Sequence, residues 1–262
     1  RITFIDRDIN LGLTKSLNEA LAVSRGDYIA RQDIGDISLK SRIEQHVNFF
    51  QANKEISILG TAVEWFDGQR TFKRYIYAKN PDEIKSRLLS FFNPLPHSTL
   101  MFRREVVDRL NGYNDLFVLS QDYDFVLRAS DIYQISSLQN PLVKLRFNPN
   151  SLTYASPEQL KFGVAALICA HRRIRGLTDY SGADSKQWQR FLQRVDCFIR
   201  KNKLDRKFIA RKYLNSARFS SLRLDILRCL IDLFHTWRND RFCFFRSGIG
   251  IRVPDDIEEF LT

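Results

Sequence analysis

From residue 2 to residue 147, short apolar runs alternate with stretches whose apolar residues return every three or four positions, and few folds accommodate both periods in turn. The runs at 2–5, 27–31, 56–66, 71–77, 97–103, 133–138 and 142–147 read as strands. Between them, Leu13, Leu17, Ala20 and Leu21 share one helical stripe, and Ile43, Val47 and Phe50 share another. Asn80-Pro81-Asp82-Glu83 opens a further helix with a cap, a first-turn proline and acids suited to the positive dipole end. Helices are also expected over 105–110, stopped by Asn111-Gly112, and over 121–130, while Asp67-Gly68 marks a hairpin. Strands alternating with helices predict an α/β sheet covered on both faces, with ligands gathering at the carboxyl ends of strands.

After residue 147 the pattern changes. Pro149, Asn150, Ser151, Ser156 and Pro157 punctuate the chain, and only helical stripes follow: over 162–175, over 186–200, around Phe208 to Leu214, and over 222–237. The charge changes with it. Residues 161–246 carry 20 Lys and Arg against 7 Asp and no Glu, whereas the rest carries 21 basic and 23 acidic residues. The net charge of +11 therefore belongs to the helical part. Two regions are expected, 1–155 and 156–262. The basic excess suggests a polyanionic partner, and amphipathic helices suit an anionic membrane surface. A nucleic-acid partner is not expected, because the aromatics of this part lie on apolar stripes rather than on an interleaved platform.

No apolar run is long enough to cross a bilayer, and no leader-like segment opens the chain. The only Met is Met101, so the chain is expected to be processed or a fragment. Cys169, Cys197, Cys229 and Cys243 show no C-x-x-C pattern and no His at metal-ligand spacing, which favours buried thiols in a reducing compartment. The expected location is the cytoplasm, peripheral on the inner face of the cell membrane.

Several residues have the chemistry of a site. Asp33 and Asp36 flank Gly35 just past an apolar run; paired carboxylates can hold Mg2+ or Mn2+ together with substrate phosphates, or simply form a turn before a helix. Asp122 and Asp124 open a helix at i and i+2, so one can face a site while the other meets solvent or a basic neighbour. His97, between Pro96 and Ser98, suits phosphate binding or acid–base work, or a structural role.

The order of these pieces is familiar. Asn10-Leu11-Gly12-Leu13-Thr14, Leu17-Asn18 and Gly26-Asp27-Tyr28-Ile29-Ala30-Arg31-Gln32-Asp33 are followed by Arg42-Ile43-Glu44-Gln45 and Ile58-Leu59-Gly60. Then come Asn93-Pro94-Leu95-Pro96-His97-Ser98-Thr99-Leu100-Met101-Phe102-Arg103, Asn111-Gly112-Tyr113-Asn114 and Gln121-Asp122-Tyr123-Asp124-Phe125-Val126-Leu127-Arg128. Together they resemble family 2 glycosyltransferases of the bacterial envelope-polysaccharide type, over roughly residues 1–175. The resemblance implies a GT-A-like mixed sheet flanked by helices, followed here by an α-helical basic region. It implies inverting transfer of a sugar from a nucleotide-diphosphate donor to a saccharide or lipid-linked acceptor hydroxyl. It places Asp122 as catalytic base, Asp33, Arg31 and His97 at the donor, Asp36 with Asp33 on a divalent metal (Mn2+ or Mg2+), and Gln121 and Tyr113 on the acceptor side.

The chain departs from the family pattern in four places. Gly35 stands where a second Asp is usual, which leaves the metal to Asp36 and Asp33; Gln121 replaces the Glu before the base; and Asn111 replaces Gly. The first residues also correspond to the third strand of the family, so the nucleobase-binding strands are expected to be missing. A non-catalytic relative and a basic nucleic-acid-binding module remain the alternative readings.

Overall fold

The computed structural model describes residues 2–147, 157–210, 213–214 and 226–240. In chain order these form α1 (Leu13–Val23), β1 (Tyr28–Ala30), β2 (Ile37–Ser38), α2 (Arg42–Ala52), β3 (Ile56–Phe66), β4 (Thr71–Tyr75) and α3 (Pro81–Leu89). A single 3-10 turn, His97–Thr99, precedes β5 (Met101–Arg103), α4 (Arg104–Leu110), α5 (Gln121–Ser130) and β6 (Gln134–Arg146). The helices α6 (Pro157–Ile174), α7 (Ser185–Lys201) and α8 (Ile226–Asn239) follow, with residues 204–210 also helical. The α/β sheet and the helical C-terminal region are both as expected. The point expected to divide them, 155/156, lies outside the described residues.

The sheet is mixed, in the order β1-β5-β3-β6-β2, with β4 returning as a hairpin beside the far half of β3. Only the central β3–β6 pair is parallel. Successive residues of a strand face opposite sides, and two cores result. Ile58 and Phe102 join the large core built with α3 to α7, whereas Leu59 and Met101 pack with Phe50 beneath α2. The large core runs from the sheet through α6 into α7, where Trp188, Phe191, Val195 and Phe198 are buried.

Local signals explain much of this. The Asn80 side chain accepts hydrogen bonds from the backbone N–H groups of Asp82 and Glu83, the cap its sequence announces. Asp184 and Gln187 form a reciprocal capping box at the start of α7. Asn111 sits in the left-handed region at φ 54° and ends α4.

Four expectations need correction. Residues 2–5 form no strand; Ile2 and Phe4 are 95% and 82% exposed, and no described strand pairs with this run. Residues 133–138 and 142–147 are one strand, β6, because the register jumps from Thr61↔Leu138 to Ala62↔Pro141 and the intervening Gln139 and Asn140 bulge out. The run 97–103 divides into the 3-10 turn and β5. Cys169 is buried, but Cys197 is exposed on α7.

Candidate active site

The site forms where β1 leaves the sheet. Antiparallel pairing of Ala30 with Met101 carries residues 31–33 alongside the turn that leads into β5. The backbone N–H of Arg31 donates to the Leu100 carbonyl at 2.9 Å, and that of Asp33 donates to Ser98 Oγ at 2.9 Å. Two residues 65 apart in sequence are thus clamped by the sheet register.

Ser98 is the hinge of the acidic loop. Its Oγ lies 2.8 Å from Asp33 Oδ2 and 2.5 Å from Asp36 Oδ2, yet a serine hydroxyl has one proton to donate. The other carboxylate contact therefore calls for a further proton or a cation. The remaining oxygens are engaged too: Arg31 Nη2 donates to Asp33 Oδ1 at 2.5 Å, and the Arg146 backbone N–H to Asp36 Oδ1 at 2.8 Å. Burial raises the Asp36 carboxyl above its ordinary range, the Ser98 and Arg146 hydrogen bonds oppose this, and the charge of Asp33 adds to it. Gly35, at φ +92°, makes the turn that folds the second carboxylate back.

Among the described residues, no group of three His, Cys, Asp or Glu side chains is placed to hold a metal. Two converging carboxylates still fit a hard divalent cation whose shell is completed by substrate oxygens. Asp33 and Asp36 would hold it, with Ser98 giving up one of its contacts.

The loop rests on a buried arginine. Arg42, 1% exposed, donates through Nη1 to Gln32 Oε1 and Ser38 Oγ, each at 2.8 Å, and through Nη2 to the Arg31 carbonyl at 2.8 Å. Burial pushes its guanidinium down to about 10, opposed by Asp36. Behind it lies His46, fully buried, with Nδ1 2.8 Å from the Arg42 carbonyl. Burial holds this imidazole below its ordinary range.

On the other side stand His97, Tyr113 and Asp122. His97 Nε2 is 2.8 Å from the Tyr113 hydroxyl, and the two rings meet edge to face. Burial lowers the His97 imidazole, against the pull of Asp122 and Asp33. It also raises the Tyr113 phenol well above its ordinary range, and Arg31, Asp122 and Asp33 act on that group too. One field therefore links Asp122, Arg31 and Asp33 through this pair. Tyr113 is only 3% exposed and its hydroxyl contacts His97, so it orients the histidine. Gln121 is likewise buried, at 6% exposure.

Asp122 lies in the first turn of α5, half-buried, and accepts no hydrogen bond from the described residues. The helix starts from Ser120 at φ 54°, a left-handed conformation that costs a non-glycine residue free energy and directs this turn. Asp124 takes the other direction. It is buried and pairs with Arg128 Nε at 2.8 Å, while the two Nη groups of Arg128 hold the carbonyls of Leu110 and Gly112. Asn18 grips the same loop, donating to the Tyr113 carbonyl and accepting from its N–H, each at 2.8 Å.

Sequence reasoning singled out the carboxylates but missed Ser98 and Arg42. Arg42 left one signal: a cation at the first position of a helix opposes the macrodipole, and so needs another reason to be there. Ser98 left none beyond its place beside His97.

Comparison with known proteins bears on the same stretch. Residues 1–110 match the model of Glycosyl transferase family 2. An uncharacterized glycosyltransferase of Methanocaldococcus jannaschii is 30% identical over 161 residues, covering 60% of this chain and 54% of its own. The amylovoran biosynthesis glycosyltransferase AmsE of Erwinia amylovora is 28% identical over 148 residues, covering 55% and 54%. The UDP-Gal:alpha-D-GlcNAc-diphosphoundecaprenol beta-1,3-galactosyltransferase of Escherichia coli is 28% identical over 143 residues, covering 53% and 50%. The chain thus spans about half the length of these curated relatives. The solved structure of S. aureus TarS 1–349 with UDP-GlcNAc overlays at a TM-score of 0.48 and 16% identity, over 88% of this chain and 70% of that one, too slight a likeness to argue from. The stretch that matches glycosyl transferase family 2, residues 1–110, is the one that carries Arg31, Asp33, Asp36, His97 and Ser98.

Proposed function

We propose that the protein moves a sugar from a nucleotide-diphosphate donor to an acceptor hydroxyl with inversion, in the assembly of a cell-surface polysaccharide. The observation that carries this is the juxtaposition at the end of β1: an Asp122 carboxylate that accepts no hydrogen bond from the described residues, in one field with Arg31 and with the Asp33–Ser98–Asp36 cluster. The relatives support the substrate class: one by its name takes UDP-Gal and a diphosphoundecaprenol-linked sugar, and another serves amylovoran biosynthesis.

In this reading Asp122 accepts the acceptor's hydroxyl proton. The freed oxygen forms its bond to the anomeric carbon as the bond from that carbon to the diphosphate breaks, and attack from the opposite face inverts the centre. The pair of electrons from the broken bond leaves with the nucleoside diphosphate. Arg31 offers its buried Nε–H, which has no partner among the described residues, to a diphosphate oxygen. A divalent metal, when bound by Asp33 and Asp36, would supply charge stabilisation to the leaving diphosphate. His97 is kept largely neutral and oriented by Tyr113, so it can accept or donate one hydrogen bond at the donor. Gln121, in the first turn of α5 beside Asp122, belongs to the acceptor side.

The test is Asp122→Asn in the full-length protein, assayed with labelled UDP-sugars and a lipid-diphosphate sugar acceptor. The variant is expected to lose about 10²- to 10⁴-fold in kcat while binding donor as before. A rate within a few-fold of the parent would remove Asp122 from the mechanism. Proton NMR of the product gives the anomeric configuration directly, and retention would overturn the inverting scheme.

A further inference from the structure

The helix α8 is turned inside out. Its apolar residues Leu230, Ile231, Phe234 and Trp237 are 59%, 44%, 58% and 60% exposed, whereas Asp232 and Thr236 are fully buried. At 100° per residue the four apolar side chains and Arg238 occupy one arc. The opposite arc is held inward by Leu233, which packs on Ala210 and Leu214, and by His235, stacked on Tyr213 with ring centroids 4.6 Å apart. The exposed stripe thus lies opposite a face that is engaged.

The surroundings say what can cover such a stripe. Residues 161–246 hold 20 basic against 7 acidic residues. On α7 the five basic residues Lys186, Arg190, Arg194, Arg200 and Lys201 are all exposed, and the lone acid, Asp196, is half-buried against Lys161 at 3.6 Å. A second copy of this chain would bring the same positive charge against itself. A nucleic acid would find no stacking platform on α7, since Trp188, Phe191 and Phe198 are buried, and the exposed Phe234 and Trp237 of α8 stand in one apolar stripe with Leu230 and Ile231 rather than interleaved with cations. An acidic bilayer surface suits both features: it covers apolar side chains at the level of the headgroups and attracts the cations of this basic segment, Arg238 on the stripe's own arc among them. Trp237 beside Arg238 has the amphipathic end that interfaces favour. No described helix is long and apolar enough to cross a membrane.

We infer that the outward face of α8, Leu230, Ile231, Phe234 and Trp237, seats the protein on an acidic membrane surface, assisted by the basic face of α7. Binding is measured without donor or acceptor, so this inference stands or falls apart from the transfer reaction. The full chain is sedimented with vesicles of phosphatidylcholine alone and with vesicles containing 30% phosphatidylglycerol, a composition chosen at roughly the acidic content where polybasic surfaces respond. At least tenfold more protein is expected with the acidic vesicles, with the excess removed by high salt. Phe234→Ser with Trp237→Ser should reduce acidic-vesicle binding at least tenfold. Because that variant alters a helix, Trp237→Phe provides an independent measurement: the parent's tryptophan emission should shift blue on acidic vesicles, and the variant should bind but lose the shift. Three outcomes overturn the inference: equal or no binding to the two vesicle types, an unshifted parent emission, or a concentration-dependent dimer that Phe234→Ser dissociates. Retention on RNA or DNA with no vesicle binding would overturn it as well.

Discussion

The helices α7 and α8 are two basic amphipathic helices of similar length, and they face opposite ways. In α7 the aromatic stripe is buried against the sheet core and the cations face out. In α8 the polar residues Asp232 and Thr236 are buried while Phe234 and Trp237 face out. Amphipathicity thus says that a helix has two environments, but not which of them is protein. The core decides that: α7 closes the large apolar cluster, whereas α8, among the described residues, packs its Leu233 on the small cluster of Ala210 and Leu214.

The comparison can be broken most directly with one residue type on each helix. Phe191→Ala should destabilise the fold by about 3–5 kcal/mol, the cost of emptying a filled aromatic site. Urea denaturation gives the value, and a loss below about 1 kcal/mol would mean that α7 is not part of the core. An intermediate effect belongs to the site, where polar groups are turned inward as on α8. Ser98→Ala removes a hydroxyl shared by two carboxylates, a charge-assisted contact contributing about 1.5–3 kcal/mol. Donor affinity, measured by calorimetry with divalent metal present, should weaken by roughly tenfold or more. Unchanged affinity would sever Ser98 from the site.

Buried neutral histidine makes a third contrast between inside and outside. Burial depresses the His46 imidazole, so the unfolded chain takes up the proton more readily than the native one. Its contribution to stability is present above the ordinary value of 6.5 and falls away as pH drops below it toward the lowered native value. Denaturation midpoints at several pH values between 7.5 and 5 should therefore fall with acidification, and His46→Asn should flatten the slope. The smallest effect is the most telling one. Phe234→Ala should change stability by under about 0.5 kcal/mol, because its side chain is already in solvent. A loss like that at Phe191 would mean that α8 is covered by the protein itself.

Much of the sheet could be read in advance. The apolar run of β3 matches its strand from end to end, and the Asn80 cap starts α3 where the sequence places it. What could not be read was anything depending on a distant partner. Residues 2–5 have the composition of a strand but pair with no described strand, and the break at 139–140 is a bulge inside β6 rather than a turn between strands. In the site, Asp33, Asp36, His97 and Asp122 stood out because their types carry chemistry. Arg42 and Ser98 did not, since their importance lies in which atoms they reach, and the β1–β5 register sets that.

The sequence by itself determined the α/β order, the caps, the charge segregation and the presence of two amphipathic stripes, because each rests on neighbours within a few residues. Only the tertiary structure decided that one serine bridges both site carboxylates, that Tyr113 supports His97, and that α8 shows its apolar side to solvent. Those outcomes follow from strand register and from the extent of the core, and neither is a local property of the chain.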